Sequence, residues 1–298
     1  MSRLYMRRKR HDCNAQRLSG GGASPICLGM RVPFLDKTPR VNVVRLQGAI
    51  GVPARHGAAG LNDAAIAPVL KKAFTKGKPV AVALAINSPG GSPVQSSLIA
   101  ARIRRLAERH EVPVHGFVED VAASGGYWLA TAADRIWADD CSIVGSIGVI
   151  SGGFGLQDFI ARHGIERRVH TAGMSKSQLD MFRPEKPEDV ARLQRLLDEM
   201  HRVFIAQVKA RRGQRLAQSD EIFSGEFWLA RRGKDLGLVD GIGHLEPKMR
   251  ELFGDKLRFA RFGARTPFLR RFGISGEAIA AEAAAAIEDR AAFARFGL

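Results

Sequence analysis

From residue 41 onward, apolar runs of strand length alternate with amphipathic stretches of helical period, and this alternation limits the chain to few architectures. "VNVVRLQGAIG" reads as a buried strand and "LNDAAIAPVLKKAFTK" as an amphipathic helix. "PVAVALAINSP" (79–89) is a second strand closing on turn residues. It is followed by a helix, "PVQSSLIAARIRRLAERH" (93–110), with Pro93 in its first turn, and by a third strand, "VPVHGFVED" (112–120). A helix from Ser124 to about Asp134, a short strand around "RIWAD" and the run "IGVISGG" come next. Such βαβ succession predicts an α/β fold, a mostly parallel sheet with flanking helices. Ligands of these sheets collect at the carboxyl ends of the strands, which singles out the loops after residues 89 and 120.

Three segments follow from this pattern: a basic tail over 1–40, one domain over 41–250 and a C-terminal helical extension over 251–298. Within the domain, "KPEDVARLQRLLDEMHRVFIAQVKARRG" (186–213) reads as one long helix. Its stripe of Leu193, Leu196, Leu197, Met200, Val203 and Phe204 is expected to pack in the core. The extension ends in an alanine-rich stretch of high helix propensity, "GEAIAAEAAAAIEDRAAFARFGL".

Composition narrows the function classes. Lys and Arg number 46 against 30 acidic residues, a formal charge of +16 that favours anionic partners. No zinc-finger spacing or aromatic RNA-binding signature accompanies it, so an anionic membrane surface is the expected partner and specific nucleic-acid binding is not. Cys13, Cys27 and Cys141 are odd in number and far apart, which fits neither a disulfide framework nor a paired-cysteine metal site. The first 40 residues begin with "MSRLYMRRKR" and hold no apolar run long enough for a signal peptide or a membrane span. Two readings of them stay open, a disordered basic tail or a true start at Met30. The expected location is cytoplasmic, peripheral on the inner membrane.

Three short stretches could carry chemistry. "INSPGG" (86–91) follows a strand, and its glycines could turn backbone N–H groups toward a developing negative charge; a plain turn is the alternative. In "DVAASGGYWLA" (120–130), Ser124 stands at a strand-to-helix turn, where it is either a nucleophile or an N-cap. The usual proton acceptor would be a histidine, yet His163, His170 and His201 lie in segments without a carboxylate pattern behind them. A lysine can serve if it is neutral, which requires lowering its pKa from about 10.4 to near 7, on the order of 4 to 5 kcal/mol. Spacing alone does not choose the lysine.

Taken together, "NSPGG", "AASGGYWLATAAD", "VGSIGV", "AGMSKS" and "GEFWLARRGKDLGLVDGIG" occur in one order through residues 41–250. In this the chain resembles the signal peptide peptidase A family of bacterial serine proteases, short form, within the Clp/crotonase-like superfamily of repeated ββα units. The resemblance implies Ser124 as nucleophile, Lys176 as general base 52 residues later, the N–H groups of Gly91 and Gly125 as oxyanion hole, and Ser146 as the residue that orients the lysine. It also implies a reaction without cofactor or metal, and a homo-oligomer whose adjacent subunits share each site. Unfolded or membrane-released peptides, signal-peptide-like, are the implied substrates. Clp-type relatives place a histidine about 25 residues after their serine. Here that region reads "IGVISGG", which points to the lysine-dependent type.

Lys186 lies near Lys176 but heads the long helix and reads as exposed, so Lys176 is preferred. Many relatives carry an amino-terminal membrane anchor, which is not evident in this chain. The rival expectation is a non-catalytic scaffold or binding protein that keeps the protease fold and sits on a membrane surface.

Overall fold

Parallel pairing dominates the sheet in the computed structural model, which describes residues 38–51, 61–263 and 290–298. The basic tail as far as residue 37, Cys13 and Cys27 with it, and residues 264–289 of the C-terminal extension lie outside the described residues. The first elements are β1 (Arg40–Gln47), α1 (Asp63–Thr75), β2 (Ala81–Ser88), α2 (Pro93–His110), β3 (Val114–Ala123) and α3 (Gly125–Ala130). β1 and β3 pair with β2 in parallel on either side, through right-length helical crossovers. Every residue of β2 is buried, as befits a central strand covered on both faces.

β3 is the branch point. Its first half pairs in parallel with β4 (Arg135–Ala138), which pairs in turn with β7 (Gly241–Ile242). Its second half pairs with β5 (Ile143–Gly145), whose antiparallel neighbour β6 (Phe227–Leu229) ends the sheet on that side. At the other edge, β8 (Arg258–Phe262) pairs in parallel with β1. Residues 258–262, assigned by sequence to the C-terminal extension, therefore add a strand to the sheet. The fold is the expected α/β class, a mixed, mostly parallel sheet with flanking helices.

One apolar layer joins α1, α2 and α3 to the sheet through Leu70, Phe74, Ile99, Ile103 and Tyr127. A second, on the opposite face, packs Met249 of α7 (Leu245–Phe253) against Val41, Ala83 and Phe117. α4 (Gln157–Arg162) buries no residue. α5 (Pro187–Arg212) corrects the sequence reading. Of the expected stripe only Phe204 is buried, whereas Leu196 and Val203 are 50% and 60% exposed. The helix rests on the body through Asp189, Phe204, Val208 and Arg212, while Leu193, Leu197 and Met200 are half-buried.

Asp240 is the polar anchor beneath the branch. Its carboxylate, 4% exposed, accepts from Arg212 Nη1 at 2.7 Å, from the Ile136 amide at 2.7 Å, and from Arg135 and Arg215 at 3.2 Å each. α6 (Ala230–Asp235) precedes it, and Tyr127 on α3 donates its hydroxyl to Leu238 O at 2.8 Å nearby. Burial alone would raise the Asp240 pKa, but the Arg212 and Ile136 hydrogen bonds outweigh it and hold the carboxyl below its ordinary range.

Because the folded-state pKa is depressed, this stabilisation is present above the unfolded value of about 3.9 and is lost as pH falls through the folded value. Asp240→Ala is expected to lose about 3 kcal/mol at neutral pH, since it leaves Arg212 buried without its partner. Denaturant unfolding across pH checks this. The gap between wild type and variant should narrow below about pH 4.

Candidate active site

The two serines singled out by sequence stand side by side. Ala123 of β3 is registered with Gly145 of β5, and the Ser124 amide donates to Gly145 O at 2.9 Å, so Ser124 and Ser146 leave the carboxyl ends of adjacent parallel strands together. Both have positive φ, +51° and +52°, in a region that costs a non-glycine residue on the order of 1 to 3 kcal/mol. Ser124 occupies the N-cap position of α3 with φ +51° and ψ −122°, yet its side chain makes no capping hydrogen bond. The hydroxyl is therefore not committed to capping the helix it precedes. A strained strand–turn–helix of this kind is the geometry in which a nucleophilic serine is exposed at the top of an α/β sheet.

The glycines of "AASGG" let α3 approach so closely. A Cβ on Gly125 would come within 2.4 Å of Ser96 Oγ, and one on Gly126 within 2.2 Å of Ser88 O. Ser96, fully buried on α2, and Ser88, at the end of β2, were not recognised in the sequence, where they read as ordinary helix and strand residues. Their weight lies in contacts that only the tertiary fold creates.

The "SPGG" loop closes the other side. Ile50 donates to Gly90 O and accepts from the Ser92 amide, both at 2.8 Å, which fixes Gly91 at φ +140°. The Gly91 amide lies 3.4 Å from where a Gly125 Cβ would stand. Among the described residues, neither the Gly91 nor the Gly125 N–H has a backbone or side-chain acceptor. Two neighbouring amides beside a serine hydroxyl, without internal partners, can receive an oxyanion. Asn87, in the same motif and 7% exposed, instead donates to Asp120 at 2.5 Å on the far face.

Lys176 is placed differently. It is exposed, its amide donates to Gly173 O at 3.2 Å, and its side chain has no hydrogen bond or ion pair with a described residue. The structure thus gathers Ser124, Ser146, Gly91 and Gly125 and does not join Lys176 to them. Lys186 is also exposed, at the N-cap of α5, as the sequence indicated. The stretch that carries Lys176 is strongly solvent-facing, with Phe154 80% exposed and Ile150 72%.

The Ser146 turn is clamped from two sides. Its amide donates to Glu226 O at 2.6 Å, and Gly148 donates back to Ser146 O at 3.0 Å. On the other side, His201 of α5 reaches Ile147 O with Nε2 at 3.0 Å. The sequence reading dismissed His201 as a base, and its separation by three and seven from Phe204 and Val208 is the signal that it faces inward.

Comparison with known proteins gives the family of the chain. The profile of peptidase family S49 matches residues 107–254. The chain is 32% identical over 213 residues, 71% of it, to a Synechocystis sp. protein named as a protease, and covers 73% of that protein. It is 29% identical over 205 residues, 68% of the chain, to the chloroplast serine protease SPPA of Arabidopsis thaliana, of which it covers 29%. The chain belongs to peptidase family S49.

A higher identity, 45% over 271 residues and 87% of this chain, links it to a Na(+)/H(+) antiporter NhaA of Brucella abortus. The chain spans only 37% of that relative. Among the described residues no helix is long and apolar enough to cross a membrane.

Proposed function

We propose that this chain is a serine endopeptidase acting on unfolded or membrane-released, signal-peptide-like peptides, with Ser124 as nucleophile and Lys176 of a neighbouring copy as general base. The observation that carries the reading is the pairing of Ser124 and Ser146 at adjacent strand ends, beside the unpartnered amides of Gly91 and Gly125.

In this mechanism Ser124 Oγ attacks the peptide carbonyl while neutral Lys176 Nζ takes the hydroxyl proton. The Gly91 and Gly125 N–H groups hold the oxyanion, and Lys176 returns the proton to the leaving amine. Water, deprotonated by the same lysine, then releases the acyl group from Ser124. Ser146 Oγ, beside Ser124, orients the lysine. A lysine base must be neutral, which requires its removal from water. An exposed Lys176 in a segment rich in exposed apolar residues supports an assembly that covers it, and therefore a site shared between copies.

Attachment to the surface of an anionic membrane, on its inner face, is a second part of the proposal, supported by a groove of about 510 Å³ between α1 and α2. Lys71 and Arg109 line it with Ala67, Pro68 and Leu106, beside Arg102, whose guanidinium is paired with Asp63 at 2.6 Å. Anionic headgroups fit that charge pattern.

Ser124→Ala and Lys176→Ala should each lower hydrolysis of an apolar fluorogenic peptide by at least about 1000-fold. Mixing the two inactive variants should restore part of the activity; failure to do so in verified mixed oligomers rejects shared sites. Hydrolysis undiminished in both variants rejects the dyad, and no hydrolysis by wild type favours a scaffold role. In flotation with anionic vesicles, Lys71→Glu with Arg109→Glu should weaken a binding that salt also weakens. Equal flotation of variant and wild type rejects the groove.

A further inference from the structure

We infer that His201 is a positioning residue of the site, acting through the Ser146 turn; this rests on the Ser124/Lys176 reading. Ile147 O is an acceptor only, so the imidazole must present its Nε2–H to it, at 3.0 Å. Ser146 holds φ +52°, a conformation that persists only when its surroundings over-determine it. Three of the hydrogen bonds that fix the turn join backbone to backbone: Ser124 N to Gly145 O, Ser146 N to Glu226 O, and Gly148 N to Ser146 O. His201 supplies the one side chain, among the described residues, that grips residues 145–148 by a hydrogen bond.

The position of His201 on α5 gives this contact its consequence. One turn further, Phe204 stacks on Trp128 of α3 with ring centroids 5.0 Å apart. Beyond it, Gln207 and Arg211 donate to Thr131 Oγ1 at 3.1 Å and Thr131 O at 2.7 Å, at the end of the helix that begins after Ser124. The same face of α5 therefore holds α3, and with His201 the turn of Ser146. In the other direction α5 runs back through its exposed half to the segment of Lys176. Without the His201 bond the Ile147–Gly148 peptide is held by a single hydrogen bond, Gly148 N to Ser146 O, and the Ser146 hydroxyl loses the direction in which it meets the lysine.

Steady-state hydrolysis of an apolar fluorogenic peptide by the full chain tests this, with His201→Leu, His201→Gln and His201→Glu compared in oligomers of wild-type mass. His201→Leu and His201→Glu should lower kcat by about 10- to 100-fold with KM within about twofold, the signature of misplaced catalytic groups. His201→Gln restores an N–H donor and should stay within about threefold of wild type. The Gln and Glu variants are nearly isosteric, so they decide the matter even if the Leu variant fails to assemble. Equal activity of Gln and Glu variants, whether both high or both low, overturns the inference. Ser124→Ala, run in parallel, separates the two failures: if it hydrolyses as wild type does, the underlying reading falls instead.

Discussion

The hydrogen bond from the Ser124 amide to Gly145 O is the contact on which the candidate site depends. It is the last rung of the β3–β5 ladder, and it sets the exits of two parallel strands at the same level. From there the two chains turn through the same uncommon φ, near +50°, one into α3 and the other into the clamped turn ending at Gly148. A slip of one residue in this register would turn every side chain of the shifted strand to the other face and separate the two serines.

Close approach of backbones is the second requirement, and the glycines meet it. Gly125 and Gly126 rest on Ser96 and Ser88 at distances that exclude any Cβ, and Gly91 is pinned by Ile50. The result is two amide donors without internal acceptors next to a hydroxyl that caps nothing. Gly125 is buried and Gly91 exposed; an orphaned buried donor such as the Gly125 amide is costly, and a protein that keeps one does so where something else is to be bound. Peptidase family S49 is where sequence comparison places the chain, and the geometry provides a physical reason for the motifs that carry the likeness.

Much of this was legible in the sequence wherever local pattern and tertiary role agree. Pro93 and the following period of Ile99, Ile103 and Ala107 delimit α2 at the residues expected, and the apolar run of β2 is buried throughout. Ser124, Ser146, Gly91 and Gly125 were found through their motifs, and the fold brings them together. Legibility failed where the deciding partner is remote. The stripe on α5 has core composition, but among the described residues only Phe204 of it is buried, and Leu196 and Val203 face solvent. β8 alternates Arg and Phe weakly because it is an edge strand, defined by pairing with β1 rather than by its own burial. His201 was set aside for want of a carboxylate, a criterion suited to a base and blind to a residue that holds a carbonyl.

Lys176 completes the account only if it meets Ser124 across copies, and trapping the acyl-enzyme tests that chemistry most directly. The assembled protein would be treated with an activated ester of an apolar peptide, quenched in acid and mapped by mass spectrometry. The account predicts an acyl group on Ser124 in wild type, its loss in Lys176→Ala, and its return on Ser124 when Lys176→Ala is mixed with Ser124→Ala. An acyl group on another residue, or undiminished acylation of Ser124 in Lys176→Ala alone, would contradict it.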